Sequence, residues 1–221
     1  MINVNSVIRI LKKEYPHAKI ALHFKNIFQL LVVVILSAQC TDKQVNKISP
    51  ALFAKFSTVK DFAQCDLHEL EKYIRSTGFY KNKAKNIKGA AGKIISDFGG
   101  KVPDKMEDLL KLPGVARKTA NVILSSGYGR NEGIVVDTHV IRLSGLLGFV
   151  PKALSEKKNA VKIEEKLMKI IPKSDWGDIS HLLIFHGRNV CVARRPKCDI
   201  CPLNKICPSA FYWMPVAKRP R

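Results

Sequence analysis

Four cysteines within a 17-residue segment constrain this chain more than any other feature. Six, two and five residues separate Cys191, Cys198, Cys201 and Cys207. Four thiolates this close in sequence can surround one centre, and soft sulfur ligands select zinc or an iron–sulfur cluster. Structural zinc sites are usually built from two short-spaced pairs, whereas this segment has a single Cys-x-x-Cys. The spacing therefore favours a cluster modestly over zinc.

The charge balance indicates a polyanionic partner. The 221 residues include 38 Lys and Arg against 18 Asp and Glu, a formal net charge of +20. Such a surplus speeds association with polyanions and favours counterion release when phosphates are bound. A lysine-rich proteome or a salt-adapted surface would give the same surplus. Membrane-surface binding would require a basic amphipathic helix, and none stands out.

The sequence contains no recognisable targeting or membrane-spanning segment. Residues 1–13 have neither an apolar core nor a small-residue cleavage site, so we predict no signal peptide. The longest apolar run, 30–36, is far shorter than the roughly 18 residues of a membrane span. We expect a cytoplasmic protein, associated with the nucleoid if prokaryotic, in which disulfides are unusual. Cys40 and Cys65 are predicted to be buried, unreactive thiols.

Helix signals recur along the chain. The β-branched run in 28–36 has strand propensity, but no partner strand is evident, so we predict a buried helix. Asp66 followed by Glu69 forms a capping-box pattern, and Gly187 stands where a helix would end. Further helices are predicted over 66–78, over 104–110 with Asp104 as the start signal, over 157–171 behind Ser155, and over 175–186.

The segment 109–121, LLKLPGVARKTAN, has the pattern of a helix, a tight hairpin and a second helix. Gly114 permits torsions that a side chain would disfavour, and the first amides of the second helix can bind a phosphate. Lys118 lies in the first turn of that helix beside Arg117 and near Lys111, where neighbouring cations disfavour its charged form. Such a lysine can form a Schiff base. A plain phosphate-binding lysine fits the motif equally well.

Asp137 follows two valines and precedes a helical stretch. A simple helix N-cap is the commoner role for such a residue. A capping carboxylate is also held rigidly and kept ionised, so that it can stabilise a cationic sugar transition state or accept a proton.

Cations also lie in the loop between the first two clustered cysteines. Arg194, Arg195 and Lys197 would form a phosphate contact on a loop pinned by metal, or would only offset the negative charge of an all-thiolate site. The last residues, 211–221, include three basic side chains and two prolines, and we predict a loose tail.

Taken together, these motifs resemble the endonuclease III family of helix-hairpin-helix DNA glycosylases. The resemblance runs from about residue 20 to Cys207 and includes the hairpin, the cysteine spacing and the Val-Asp-Thr-His around Asp137. Three further motifs match: LSAQCTD at 36–42, GFYKNKA at 78–84 and HGR at 186–188.

The resemblance implies an all-α fold with a [4Fe-4S] cluster on the four cysteines. The hairpin, at about 108–126, would belong to a six-helix barrel domain over 20–131. Both chain ends, 1–19 and 132–210, would form an iron–sulfur cluster domain.

The family removes oxidised pyrimidines from double-stranded DNA and then cleaves the abasic strand. The resemblance implies a monomeric glycosylase and abasic-site lyase with Lys118 as the Schiff-base nucleophile and Asp137 as the catalytic carboxylate. Gln39 matches the residue that fills the gap left by the extruded base, and Phe79 lies where an aliphatic wedge often inserts. The implied DNA contacts are Gln39, Phe79, Gly114, Ala116, Arg117, Arg194, Arg195 and Lys197.

Two departures and two rival functions are relevant. Ala116 stands where many members have a second glycine. The methyl group of alanine costs little there if the position has helical torsions. Phe79 is larger and flatter than an aliphatic wedge and could shift the opposite-base preference. A monofunctional mismatch or adenine glycosylase of the same fold would generally lack Lys118, and a non-enzymatic DNA-binding module would not need Lys118 and Asp137 together.

Overall fold

The computed structural model describes residues 2–212, which form helices and turns with no β-strand. The all-α prediction is therefore confirmed. The chain divides into two units, Ala21–Glu132 and Met1–Ile20 with Gly133–Arg221. None of the described helices is long and apolar enough to cross a membrane. Of the predicted tail, only residues 211 and 212 are described, and 213–221 lies outside the described residues.

Twelve α-helices of the described chain are joined by short turns, among them 3₁₀ turns at Arg75–Thr77 and Lys173–Asp175 and a π-helical turn at Ile123–Gly127. The α-helices are α1 (Val4–Glu14), α2 (Ile27–Ser37), α3 (Asp42–Lys55), α4 (Val59–Gln64), α5 (Leu67–Ile74), α6 (Tyr80–Phe98), α7 (Met106–Leu109), α8 (Arg117–Val122), α9 (Thr138–Leu146), α10 (Lys152–Glu156), α11 (Ala160–Ile170) and α12 (Trp176–Asn189).

Helix α2 is the buried helix predicted from the β-branched run. Eight of its eleven residues are buried, and a helix that is apolar all round is stabilised by core packing in spite of weak helix propensity. The side chain of Asn26 caps the helix by accepting the N–H of Gln29 at 2.9 Å. The ring of Phe28 packs 5.4 Å from that of Phe62, which has no exposed surface. Burial therefore decides the conformation of this segment.

The other unit has an apolar core of its own. Helices α1, α9, α11 and α12 each contribute fully or almost fully buried aliphatic side chains. Three of the cysteines pack against the edge of this core while remaining partly exposed. The core side chains include Val7, Leu11, Val140, Leu143, Ile163, Leu167, Ile179 and Leu183.

Two predicted helix starts are wrong. Helix α7 begins after Lys105, because the carboxylate of Asp104 is paired with Arg130 at 2.8 Å. Ser155 belongs to the short helix α10, and α11 is capped instead by Asn159, whose side chain accepts the N–H of Lys162 at 3.1 Å. By contrast Asp66 caps α5 as predicted. Several polar residues near each predicted start suit a helix N-terminus, and contacts elsewhere in the fold determine where the helix begins.

Gly187 does not end a helix. It lies inside α12, which continues to Asn189. A Cβ atom at this position would lie 2.8 Å from Nδ1 of His139. The glycine therefore allows α12 to approach the His139 side chain closely.

Candidate functional site

The hairpin between α7 and α8 requires a glycine at position 114 for two reasons. Gly114 has a φ of 77°, in the left-handed region that side chains disfavour. A Cβ atom there would also lie 2.8 Å from Cβ of Asn86. Leu112 and Val115 on either side are buried and anchor the turn. The predicted hairpin is confirmed, with the start of α8 fixed by this turn.

Lys118 is exposed and is the second residue of α8. Ala116 occupies the N-cap position, where its methyl group offers no acceptor to the first amides of the helix. Its φ of −92° and ψ of 170° are extended and not helical, which was the condition considered from the sequence. The methyl group is still tolerated, because any residue can adopt an extended backbone. Lys111, expected to be a cation near Lys118, donates to Asp108 at 2.7 Å, and this bond raises the pKa of Lys111.

Gln39 and Phe79 are both exposed, and both have left-handed backbone torsions. Their φ angles are 52° and 48°, and Phe79 is 65% exposed. A non-glycine residue in this region costs about 1–2 kcal/mol. Such strain persists where the surrounding structure enforces it and often marks functional positions. Each residue follows the end of a helical segment in the Ala21–Glu132 unit.

Asp137 is the N-cap of α9, which confirms the simpler of its two predicted roles. Its carboxylate accepts the N–H of Val140 at 2.8 Å, and the side chain remains partly exposed. Burial lowers the pKa of His139 and of His181, an effect that the Asp137 carboxylate partly opposes. Asp137 belongs to one unit and Lys118 to the other.

All four clustered cysteines line one apolar cavity. Its other walls come mainly from α9 and from residues that follow α12, among them Leu143, Leu147, Val190 and Leu203. Burial raises the pKa of the Cys191 and Cys207 thiols and raises that of Cys201 to about 11. Isolated thiolates are therefore unstable here, and a cationic metal centre would be needed to hold them deprotonated.

The four thiols around this cavity provide the donor set of an iron–sulfur cluster. Such clusters are held by Cys thiolates, and Cys191, Cys198, Cys201 and Cys207 all line the same apolar space. Soft sulfur donors of this kind select zinc or an iron–sulfur cluster.

Arg142, a cation in contact with one of the cysteines that line the cavity, was not predicted from the sequence. The guanidinium of Arg142 lies 3.7 Å from Sγ of Cys191 and also donates to the carbonyl of Gly187 at 3.4 Å. Its position one residue before Leu143, within the helix that follows Asp137, was the available signal. The predicted cations Arg194, Arg195 and Lys197 are exposed. They are therefore accessible to a phosphate.

The two remaining cysteines differ from each other. Cys65 is buried and donates its thiol to the carbonyl of Phe62 at 3.2 Å, as expected of an inert thiol. The prediction that Cys40 is buried is wrong: its side chain is only partly buried, because it lies in the loop between α2 and α3 and outside the helical core.

Sequence reasoning also missed a buried lysine, Lys83 in the first turn of α6. The side chain lies in helical register with Ile87 and Ala90, both on the buried face. That register was the signal in the sequence, although Lys83 is one of several lysines in the KNKAKN stretch.

Comparisons with known proteins identify DNA repair proteins as relatives of this chain. A family model of HhH-GPD superfamily base excision DNA repair proteins matches residues 32–173, and one of the iron-sulfur binding domain of endonuclease III matches 191–207. Endonuclease III of Synechocystis sp. is 52% identical over 204 residues, which cover 92% of this chain and 91% of that protein. A solved non-covalent endonuclease III–DNA complex has a TM-score of 0.88 and 43% identity, with 96% of each chain covered. A trapped endonuclease III–DNA covalent intermediate has a TM-score of 0.88 and 42% identity, covering 96% of this chain and 97% of that one.

Proposed function

From the premise that this chain belongs to the endonuclease III family, we propose that it is a bifunctional DNA repair enzyme that removes oxidised pyrimidines from double-stranded DNA and cleaves the resulting abasic strand. The observation that carries this proposal is the position of Lys118, exposed in the first turn of a helix that follows a glycine turn. An amine in this position is accessible to a nucleotide extruded from a duplex.

Lys118 supplies the nucleophile. Its neutral amine attacks the anomeric carbon of the target deoxyribose, and the base leaves with the bonding electrons and takes up a proton. The C1′–O4′ bond of the resulting aminal then breaks, and O4′ takes up the proton lost from the amine, which opens the sugar ring and leaves a protonated imine at C1′. This imine makes the neighbouring C2′ proton acidic, and removal of that proton expels the 3′-phosphate. Water then hydrolyses the imine and releases the enzyme. A water nucleophile in place of Lys118 would form no imine, so the lysine couples base removal to strand cleavage.

Asp137 stabilises the positive charge that develops on the sugar as the base departs. Its hydrogen bond to the N–H of Val140 keeps the carboxylate in one orientation. The neighbouring His139 and His181 are shifted by burial toward their neutral forms. Neutral imidazoles beside Asp137 would add no positive charge to compete with the sugar for its carboxylate.

The remaining residues bind DNA. The uncapped start of α8, with Gly114, Ala116 and Arg117, binds a backbone phosphate through amides and charge. Gln39 and Phe79 enter the base step from which the target nucleotide is extruded, and a flat phenyl ring can stack on the neighbouring base. The exposed cations of the 192–197 loop add phosphate contacts.

The cofactor of the chain is a [4Fe-4S] cluster, and we infer that Cys191, Cys198, Cys201 and Cys207 hold it. When bound, the cluster supplies a metal centre that keeps four thiolates together in an apolar cavity. Residues 190–212 form turns without an α-helix, so the cysteines fix the loop that presents Arg194, Arg195 and Lys197 to DNA.

Borohydride reduction on a duplex with one abasic site tests the lyase. The wild-type protein should become covalently linked to DNA, because borohydride reduces the imine to a stable amine. Lys118→Ala should form no adduct. Lys111→Ala is the matched control, since Lys111 lies seven residues earlier and is paired with Asp108, and its adduct yield should stay near that of the wild type.

Two results would contradict the proposal. No adduct from the wild-type protein would leave a monofunctional glycosylase or a DNA-binding module of the same fold. An adduct from Lys118→Ala at the wild-type rate would show that another amine is the nucleophile.

A further inference from the structure

Lys83 is a buried lysine with two backbone partners and no role in the proposed chemistry. Only 4% of its surface is exposed, and lysine is almost never buried to this extent unless it is paired. Its Nζ donates to the carbonyl of Leu36 at 2.7 Å and to the carbonyl of Thr77 at 2.8 Å. Burial lowers the pKa of Lys83, and the two carbonyls satisfy donors that would otherwise be buried without partners.

Both acceptors lie at the C-terminal ends of helical segments. Leu36 is the penultimate residue of α2, and Thr77 is the last residue of the 3₁₀ turn that follows α5. The last carbonyls of a helix have no partner within it and carry partial negative charge. One ammonium group therefore satisfies the ends of two helical segments that are 41 residues apart in sequence.

The two strained, exposed residues follow directly from these ends. Gln39 lies three residues after Leu36, and Phe79 lies two residues after Thr77. A second bond reaches the same 3₁₀ turn from the helix that follows Gln39, because the side chain of Gln44 in α3 donates to the hydroxyl of Ser76 at 2.7 Å. Left-handed torsions at non-glycine residues persist only where the surroundings enforce them.

We propose that Lys83 is a positioning residue that holds the Gln39 and Phe79 segments in a fixed relation, so that both side chains enter the duplex together when the target nucleotide is extruded. This inference rests on the proposed function, in which Gln39 and Phe79 occupy the opened base step. It assigns to Lys83 an effect on extrusion and none on the reaction of Lys118 with the sugar.

Lys83→Met tests the proposal, because methionine keeps most of the apolar stem and removes both hydrogen bonds. Lys88→Met is the matched control, since Lys88 lies on the same helix and donates to one carbonyl, that of Cys65, at 2.7 Å. Two substrates separate the steps: a duplex with one oxidised pyrimidine, which requires extrusion, and a single-stranded abasic oligonucleotide trapped with borohydride, which does not.

Lys83→Met should slow single-turnover cleavage of the duplex roughly 10- to 100-fold, the usual effect of a misplaced contact. Trapping on the single strand should stay within about twofold, as should both activities of Lys88→Met. With 2-aminopurine beside the lesion, the fluorescence rise that reports unstacking should be lost in Lys83→Met and kept in Lys88→Met.

Equal loss on both substrates, or no loss on the duplex, would overturn the proposal. If Lys83→Met folds poorly, Lys83→Arg still tests the proposal. Arginine keeps the charge and the hydrogen-bond donors, so Lys83→Arg should retain most of the duplex activity. In a Phe79→Ala background, Lys83→Met should add little to the loss on the duplex, and a fully additive loss would contradict the proposed route. If the wild-type protein forms no adduct on either substrate, the proposed function fails and Lys83 is not the cause.

Discussion

Helices α8 and α9 begin in opposite ways. Helix α8 starts after Ala116, which offers no side-chain acceptor, whereas α9 starts after Asp137, whose carboxylate accepts the N–H of Val140 at 2.8 Å. Every helix N-terminus has unsatisfied amides and partial positive charge. In α8 no side-chain cap bonds to these amides, whereas in α9 the carboxylate of Asp137 already accepts one of them.

Under the proposed function, the difference corresponds to two tasks. A DNA phosphate must bind and leave, so the site that receives it gains from having no competing side chain. A catalytic carboxylate must stay in place, and the hydrogen bond from the N–H of Val140 holds Asp137 in one orientation. The same feature of a helix would then serve binding in α8 and the holding of a reactive group in α9.

Asp137→Asn should separate capping from chemistry and give the largest effect. Asparagine caps a helix about as well as aspartate, so the thermal midpoint should stay near that of the wild type. Loss of the negative charge should slow single-turnover base removal by about 10²- to 10⁴-fold. Rates on a lesion-containing duplex and thermal unfolding measure the two quantities.

Asp137→Ala is the control for this variant. It removes charge and cap together, so it should lose activity and also about 1 kcal/mol of stability. Base removal by Asp137→Asn at the wild-type rate would mean that Asp137 is only a cap.

Ala116→Asp would give α8 the kind of start that α9 has. Position 116 is exposed and extended, as an N-cap residue requires, so an aspartate should raise the stability by about 0.5–2 kcal/mol. The same carboxylate would occupy the amides and repel a phosphate, and the Kd for abasic duplex should rise roughly 10- to 100-fold at low salt. Stability and affinity should therefore change in opposite directions.

Ala116→Ser separates the cap from its charge. Serine caps without a negative charge, so the thermal midpoint should rise while the affinity falls less than in Ala116→Asp. If Ala116→Asp were more stable and bound DNA as tightly as the wild type, the start of α8 would not be a phosphate site.

What could be predicted from the sequence depended on how local the cause was. The hairpin at Gly114 and the cap at Asp137 depend on neighbours within a few residues, and the predicted positions agree with the structure. The predicted start of α11 was wrong because Ser155 and Asn159 both suit an N-cap. Local chemistry permits either residue, and packing of the whole unit selects Asn159.

The positions missed from the sequence have distant partners. Lys83 resembles its neighbours Lys81 and Lys85 in every local respect, but its acceptor at Leu36 is 47 residues away. Gly187 has the composition of a helix end, but it serves contact with His139, 48 residues earlier. Such roles depend on contacts that exist only in the assembled fold. The sequence itself shows no more than that the residue lies in helical register with buried neighbours.

Gly114→Ala tests how far the open start of α8 depends on its turn. An alanine would have to adopt a φ near 77° and would bring its Cβ to 2.8 Å from Cβ of Asn86. We expect a loss of about 1–2 kcal/mol in the free energy of unfolding, seen as a lower thermal midpoint.

Gly92→Ala in α6 is the matched control, because its Cβ would meet nothing within 4 Å and alanine favours a helix by about 1 kcal/mol. It should raise the midpoint. A Gly114→Ala protein as stable as the wild type would show that the hairpin can relax, and the start of α8 would then owe its geometry to the packing of Leu112 and Val115.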